Sequence, residues 1–156
     1  MDAFAAKLAA WLDARKVDAE QRLFAVSTHS VAEAAAAVGA RPEDFVKSIC
    51  MVADDARLAV AVVKGEDRAS TARVAEALGA RVRLASPDEM LARTGYPAGG
   101  TPPFGFDATF LVDERVLERP HVWAGGGSDR ALVRVAPAEL LRANGGRVAR
   151  VRKELR

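Results

Sequence analysis

Phe45-Val46-Lys47-Ser48-Ile49-Cys50-Met51-Val52 and Leu58-Ala59-Val60-Ala61-Val62-Val63 are two apolar runs separated by the polar segment Asp54-Asp55-Ala56-Arg57. Short apolar runs, rich in β-branched residues and bounded by turn residues, predict a hairpin of core strands. Helical segments surround this hairpin, but strand and helix do not alternate regularly. The pattern points to a mixed α/β fold of α+β-like character. The expected architecture is a mixed, largely antiparallel, curved sheet with peripheral helices, and not a parallel nucleotide-binding sheet.

Working outward, residues 2–15 read as an amphipathic helix, with Phe4, Leu8, Trp11 and Leu12 at three- and four-residue spacing. Leu23-Phe24-Ala25-Val26 is a short strand candidate. Ser30 followed by Glu33 is a capping-box pattern opening a helix over 31–38, which Gly39 ends. Arg41-Pro42-Glu43-Asp44 reads as a turn into the first run. A helix over 70–78 stops at Gly79, and Val82-Arg83-Leu84 is a short strand. Ser86-Pro87-Asp88-Glu89 joins an N-cap, a first-turn proline and a box-closing glutamate. Strands follow over 109–113, 122–124 and 131–135, then a helix over 137–143.

The chain of 156 residues is half apolar and 28% charged, enough for one domain over 1–156 with its own core. Cys50 is the one cysteine and is read as a small buried hydrophobe. No apolar run approaches the roughly 18 residues of a membrane helix. The N-terminus lacks a signal-peptide pattern, so a cytoplasmic location is expected, without membrane contact. A net charge of +2 announces no global nucleic-acid field. The flank 142–156 is nevertheless basic, carrying Arg142, Arg147, Arg150, Arg152, Lys153 and Arg156 against Glu154 alone. It is either a solvated tail or a phosphate contact.

Familiar catalytic patterns are missing from the sequence. Lys47-Ser48 follows Phe45-Val46 and no glycine run, so it is not a phosphate-binding loop of the Walker type. There is no G-x-S-x-G elbow. His29 and His121 stand far apart with no ligand set, and are read as structural or solvent-facing; neither metal nor cofactor is expected. Two features remain. Lys47 lies within a core strand, where an amine must reach water, find an anion or carry a depressed pKa. Strand alternation puts it on the face opposite Val46, so an outward-pointing edge lysine is also open. The second feature is Gly95-Tyr96-Pro97-Ala98-Gly99-Gly100-Thr101-Pro102-Pro103-Phe104-Gly105. Seven of its eleven residues are Gly or Pro, which excludes a helix or central strand. Tyr96 and Phe104 call for burial, so the loop is either a packed connection or the shaped wall of a binding site.

Taken together and in order, Phe45-Val46-Lys47-Ser48-Ile49, the Gly95 to Gly105 loop, Val112-Asp113-Glu114 and Ala124-Gly125-Gly126-Gly127 resemble one family. It is the YbaK/ProX group of aminoacyl-tRNA editing domains, related to the editing insertion of bacterial prolyl-tRNA synthetase. The resemblance runs from about Thr28 to Leu141, and the Gly/Pro loop is its specific part. It implies a freestanding deacylase that hydrolyses the ester of a mischarged small amino acid on the 3′ end of tRNA. Lys47 matches the family's hallmark lysine, implied to engage the phosphate near the terminal adenosine. Gly99, Gly100, Thr101, Pro102 and Pro103 match the element implied to line the aminoacyl pocket. Gly125, Gly126, Gly127 and Ser128 match a segment beside it. Some alanine-specific relatives carry a histidine in that segment; this chain does not. Aminoacylated tRNA is the implied partner, with an aminoacyl-tRNA synthetase as a second. The rival reading is a non-catalytic tRNA-end or synthetase-binding module on the same fold.

Overall fold

The computed structural model describes residues 2–154. Helix α1 (Ala3–Ala14) is followed by β1 (Ala19–Leu23), α2 (Val31–Val38) and a 3-10 turn at Pro42–Asp44. The central hairpin is β2 (Val46–Ala53) and β3 (Leu58–Lys64). Then come α3 (Thr71–Leu78), β4 (Val82–Leu84), α4 (Pro87–Thr94), β5 (Thr109–Asp113) and a 3-10 stretch at Glu114–Glu118. The chain continues with β6 (Val122–Gly125), β7 (Ala131–Val135), α5 (Pro137–Asn144) and β8 (Arg147–Ala149).

The mixed α/β class holds, and the strands divide between two sheets. One has five strands in the order β4-β2-β3-β5-β8, antiparallel through β3 and parallel at β3–β5 and β5–β8. The other is antiparallel, in the order β1-β7-β6. They meet where Phe45 bridges Trp123, whose rings also stack at 6.4 Å. Side-chain alternation assigns each sheet two faces. Val46, Cys50, Val60, Val62, Phe110 and Val112 turn toward Val122, Ala124, Val133 and Val135, and Leu8, Leu12 and Leu140 close this inter-sheet core. Behind the larger sheet, Met51, Ala59, Ala61 and Val63 pack on Val74 and Leu78 of α3. Behind the smaller one, Trp123 and Leu132 pack on Ala34 and Ala35 of α2. No helix is long and apolar enough to cross a membrane among the described residues.

Three local expectations need correction. The strand expected over 23–26 lies at Ala19–Leu23, where Gln21 is opposite Val133. Beyond Leu23 the chain leaves the ladder, and Val26 is exposed. Strand β8, with an exposed valine and an arginine, lacks an apolar signature and lies outside the expected set. The α2 cap is also partial. The Ser30 hydroxyl accepts from Glu33 N–H, while the Glu33 carboxylate accepts from that hydroxyl and leaves the Ser30 backbone alone.

The Gly95 to Gly105 loop is pinned at both ends: Tyr96 and Phe104 are fully buried, and Phe104 stacks on Trp11 of α1 at 5.5 Å. Its middle lies backbone to backbone against the segment after β6. A Cβ on Gly100 would meet Ser128 Cα at 2.4 Å, and one on Gly125 would meet the Thr101 carbonyl oxygen at 2.4 Å. Gly127 N–H donates to Gly100 O at 2.8 Å across the contact.

Gly100→Ala is therefore expected to destabilise the protein by about 1–3 kcal/mol through overpacking against main chain that cannot rotate away. An unchanged melting temperature would disprove the contact. At α4 the full capping box is present, with Ser86 accepting from Glu89 N–H and Glu89 accepting from Ser86 N–H. Ser86→Ala should cost about 1 kcal/mol. The Arg83 guanidinium and the cap hold Glu89 down at about 2, so its contribution is present above the ordinary carboxylate pKa and lost as pH falls toward 2. Urea melts at pH 5 and about pH 2.5 should then differ less for Glu89→Gln than for wild type.

Candidate functional site

Strand β4 pairs only with Met51, Val52 and Ala53, so the first half of β2 has no strand beyond it. Cys50 O accepts from Ala85 N–H on this edge at 2.9 Å. By the two-residue alternation of a strand, the N–H and C=O of Ser48 face the same open edge. A cavity of about 350 Å³ occupies the space. Lys47, Ser48 and Ile49 of β2 form one side; Ala98, Gly99, Gly100, Thr101 and Gly125 form another. Apolar side chains, among them Val31, Ala34, Cys50, Met90 and Leu132, supply the rest of its lining.

The structure thus brings Lys47, Gly99, Gly100, Thr101 and Gly125 to one cavity. Pro102, Pro103, Gly126, Gly127 and Ser128 are not on its surface. Both prolines are buried, so of the element 99–103 implied to line the pocket only Gly99, Gly100 and Thr101 reach the cavity. These residues stand behind the wall and hold it. Asn144 Nδ2 donates to Pro103 O at 3.0 Å, and Gln21 Nε2 donates to Gly126 O and Ala5 O at 2.9 Å each. Thr101 Oγ1 and Gly100 N–H both donate to Pro97 O, which folds the loop on itself. Gly99 and Thr101 N–H groups meet no backbone acceptor among the described residues.

His29 also lines the cavity, although the sequence marks it only as structural or solvent-facing. A Cβ on Gly99 would lie 2.1 Å from His29 Nδ1, so the imidazole rests directly on the glycine. The signal was present as the cap-rich Ser27-Thr28-His29-Ser30, but nothing local connects it to a loop seventy residues on. His121 is exposed.

Lys47 is partly buried. Burial holds its pKa below the ordinary lysine value, Arg68 lowers it further, and the Asp67 carboxylate opposes both. It makes no ion pair among the described residues, as Asp67 is taken by Arg115 through bonds of 2.6 and 2.8 Å. An ammonium with no protein anion at a cavity wall is ready for an external one. Burial pushes the Cys50 thiol up to about 11, so it stays protonated at neutral pH and is no nucleophile. The site therefore offers a cation, backbone donors and an apolar volume. It suits an anionic ligand whose reacting group lies against main chain.

Comparison with known proteins shows the chain's family and fold. The family model of the aminoacyl-tRNA editing domain matches residues 25–143. A solved structure described as a candidate trans-editing enzyme for prolyl tRNA synthetase superposes with a TM-score of 0.91, at 32% identity, over 99% of each chain. Protein YwhH of Bacillus subtilis is 26% identical over 119 residues, 75% of this chain and 76% of that protein. A proline–tRNA ligase of Solidesulfovibrio magneticus is 30% identical over 135 residues, 85% of this chain but 22% of the ligase. The chain belongs to the aminoacyl-tRNA editing domain family.

Proposed function

We propose that the protein is a trans-acting deacylase, hydrolysing the ester between a small mischarged amino acid and the 3′ end of tRNA. The observation that carries this reading is the placement of Lys47 and the Gly99 to Thr101 backbone on one small cavity. The full-length likeness to a candidate trans-editing enzyme supports action in trans.

Lys47 anchors the phosphate beside the terminal adenosine and orients the ester, a positioning role. Water adds to the ester carbonyl carbon; the bond to the ribose oxygen then breaks, and that oxygen takes a proton. Free amino acid and tRNA with a free 3′-terminal ribose leave. Negative charge gathers on the carbonyl oxygen, and backbone N–H groups of the glycine wall are held rigidly enough to stabilise it. The vicinal ribose hydroxyl assists the proton movement, so the substrate supplies what a protein Ser-His pair would otherwise provide. About 350 Å³ lies at the small end of ligand pockets, which favours a steric sieve admitting small side chains.

A panel of tRNAs mischarged with Ala, Ser, Thr and Cys tests the reading. Wild type should deacylate at least one, and Lys47→Ala should lose about 10²-fold in rate. Cleavage of none, or undiminished cleavage by Lys47→Ala, ends the proposal; binding of charged tRNA without turnover would favour the non-catalytic module instead.

The depressed Lys47 pKa has a stability counterpart. The penalty for burying the charge is fully present below the lowered value and is relieved as pH rises through it toward the ordinary lysine value. Lys47→Met should consequently melt higher than wild type at pH 7, with the gap narrowing near about pH 10. A lower melting temperature at pH 7 would make Lys47 a structural residue.

A further inference from the structure

Around the segment that follows β3, most cations are neutralised where they stand. Lys64 reaches Glu66 at 2.8 Å, Arg115 holds Asp67, Arg152 is shared by Asp113 and Glu114 at 3.1 Å each, and Arg150 bonds Glu154 at 2.5 Å. Lys47, Arg68 and Lys153 make no ion pair among the described residues, and the last two are exposed. The fold collects these three. Val151 O accepts from Ser70 N–H and Arg68 O accepts from Lys153 N–H, both at 2.7 Å, while Ala69 bridges Arg152. The basic tail is thereby laid beside the segment that follows β3. Arg68 is paired with Lys153 on one side. On the other, the segment that carries it starts at Lys64, opposite Val46, and at Gly65, whose N–H donates to Phe45 O at 2.7 Å. It therefore leaves the sheet beside Lys47, whose pKa the Arg68 charge lowers.

Holding the tail there costs a buried charge. Asp113 is wholly buried, and its Oδ1 accepts from Val151 N–H at 2.9 Å and Arg152 N–H at 3.0 Å. The arginine that balances this carboxylate, Arg152, comes from the tail itself. A carboxylate so committed fixes the path of the backbone up to Lys153. Asp67, the sequence neighbour of Arg68 and the acid whose charge acts on Lys47, is turned inward to Arg115 and is 3% exposed. The acids beside them are thus used to order the chain, leaving Lys47 on the cavity wall and Arg68 and Lys153 on the paired segments outside it without an ion pair among the described residues. Such an arrangement costs folding energy and returns it only when an anion arrives.

We propose that Arg68 and Lys153 extend Lys47 into a track that binds successive backbone phosphates of the RNA strand entering the cavity. This rests on the deacylase reading and adds the path of the strand outside the pocket. A strand of regularly spaced phosphates suits a line of unpaired cations with no aromatic platform among them: binding would be electrostatic and indifferent to base identity.

The test uses the full chain and a hairpin RNA ending in a single-stranded CCA tail, with binding followed by fluorescence anisotropy from about 50 to 200 mM salt. Arg68→Gln and Lys153→Gln should each reduce the slope of log K against log salt by about 0.7, equivalent to roughly fivefold weaker binding near 0.1 M salt. Both should melt no lower than wild type, since each relieves like-charge repulsion, and should raise KM for deacylation with kcat nearly unchanged. Arg134→Gln, an exposed control on β7, should alter neither. If the two variants keep the wild-type slope while Lys47→Gln loses affinity, the track is wrong and the deacylase reading stands. If wild type neither binds this RNA nor cleaves any charged tRNA, both readings fall.

Discussion

Main chain packed on main chain is the constraint from which the site follows. Gly100 meets Ser128 and Gly125 meets the Thr101 carbonyl at separations no side chain would allow. Two loops from distant parts of the sequence therefore share one surface made almost wholly of peptide groups. Peptide groups have no rotamers, so their donors and acceptors keep their directions as long as the loops stay in contact. The surrounding packing serves that end. Tyr96 and Phe104 fasten the loop ends, Trp11 stacks on Phe104, and Gln21 ties Gly126 to α1. The same glycines that make the loop look flexible in the sequence are what let it be rigid.

The opposite side of the cavity comes from a sheet edge. Unpaired strand edges invite pairing with other chains, and proteins usually cover or shorten them. Here β4 covers only the last part of β2, and the exposed part carries Lys47 and is roofed by His29 and the glycine wall. The edge is left open but recessed, so another strand cannot approach while a small ligand can. This also resolves the ambiguity of Lys47. It is an edge lysine, as alternation allows, and it is a cavity lysine because that edge is the cavity.

What was legible in the sequence was local. The hairpin, the five helices, the capping box of α4, the glycine stops of α2 and α3, and the burial of Tyr96 and Phe104 follow from periodicity and capping chemistry within a few residues. What was hidden depends on partners remote in sequence. The division into two sheets rests on β1 pairing with β7 and β3 with β5, neither announced by adjacent turns. β1 has only one apolar residue at each end, so the richer Leu23-Phe24-Ala25-Val26 drew the expectation away from it. Lys47 and the glycine wall were brought into one site by resemblance, and their juxtaposition is a property of the fold. His29 and the retracted prolines had no such guide, since which side of a loop faces a cavity depends on what packs behind it.

The two kinds of wall divide the site's tasks. Gly99, Gly100 and Gly125 present backbone, and a side chain added there collides with other backbone or with His29. Val31, Ala34, Cys50, Met90 and Leu132 present side chains, which volume-conserving substitution can reshape at modest cost. On the deacylase reading the chemistry sits on the first wall and the choice of amino acid on the second. Selectivity can then drift among relatives of this fold without disturbing the groups that stabilise the reacting ester. A steric sieve of this sort discriminates by only about 1–3 kcal/mol per methylene. Discrimination among side chains of similar size has to come from the few polar groups of the lining, and among these His29 rests on Gly99 and Ser48 lies on the open strand edge.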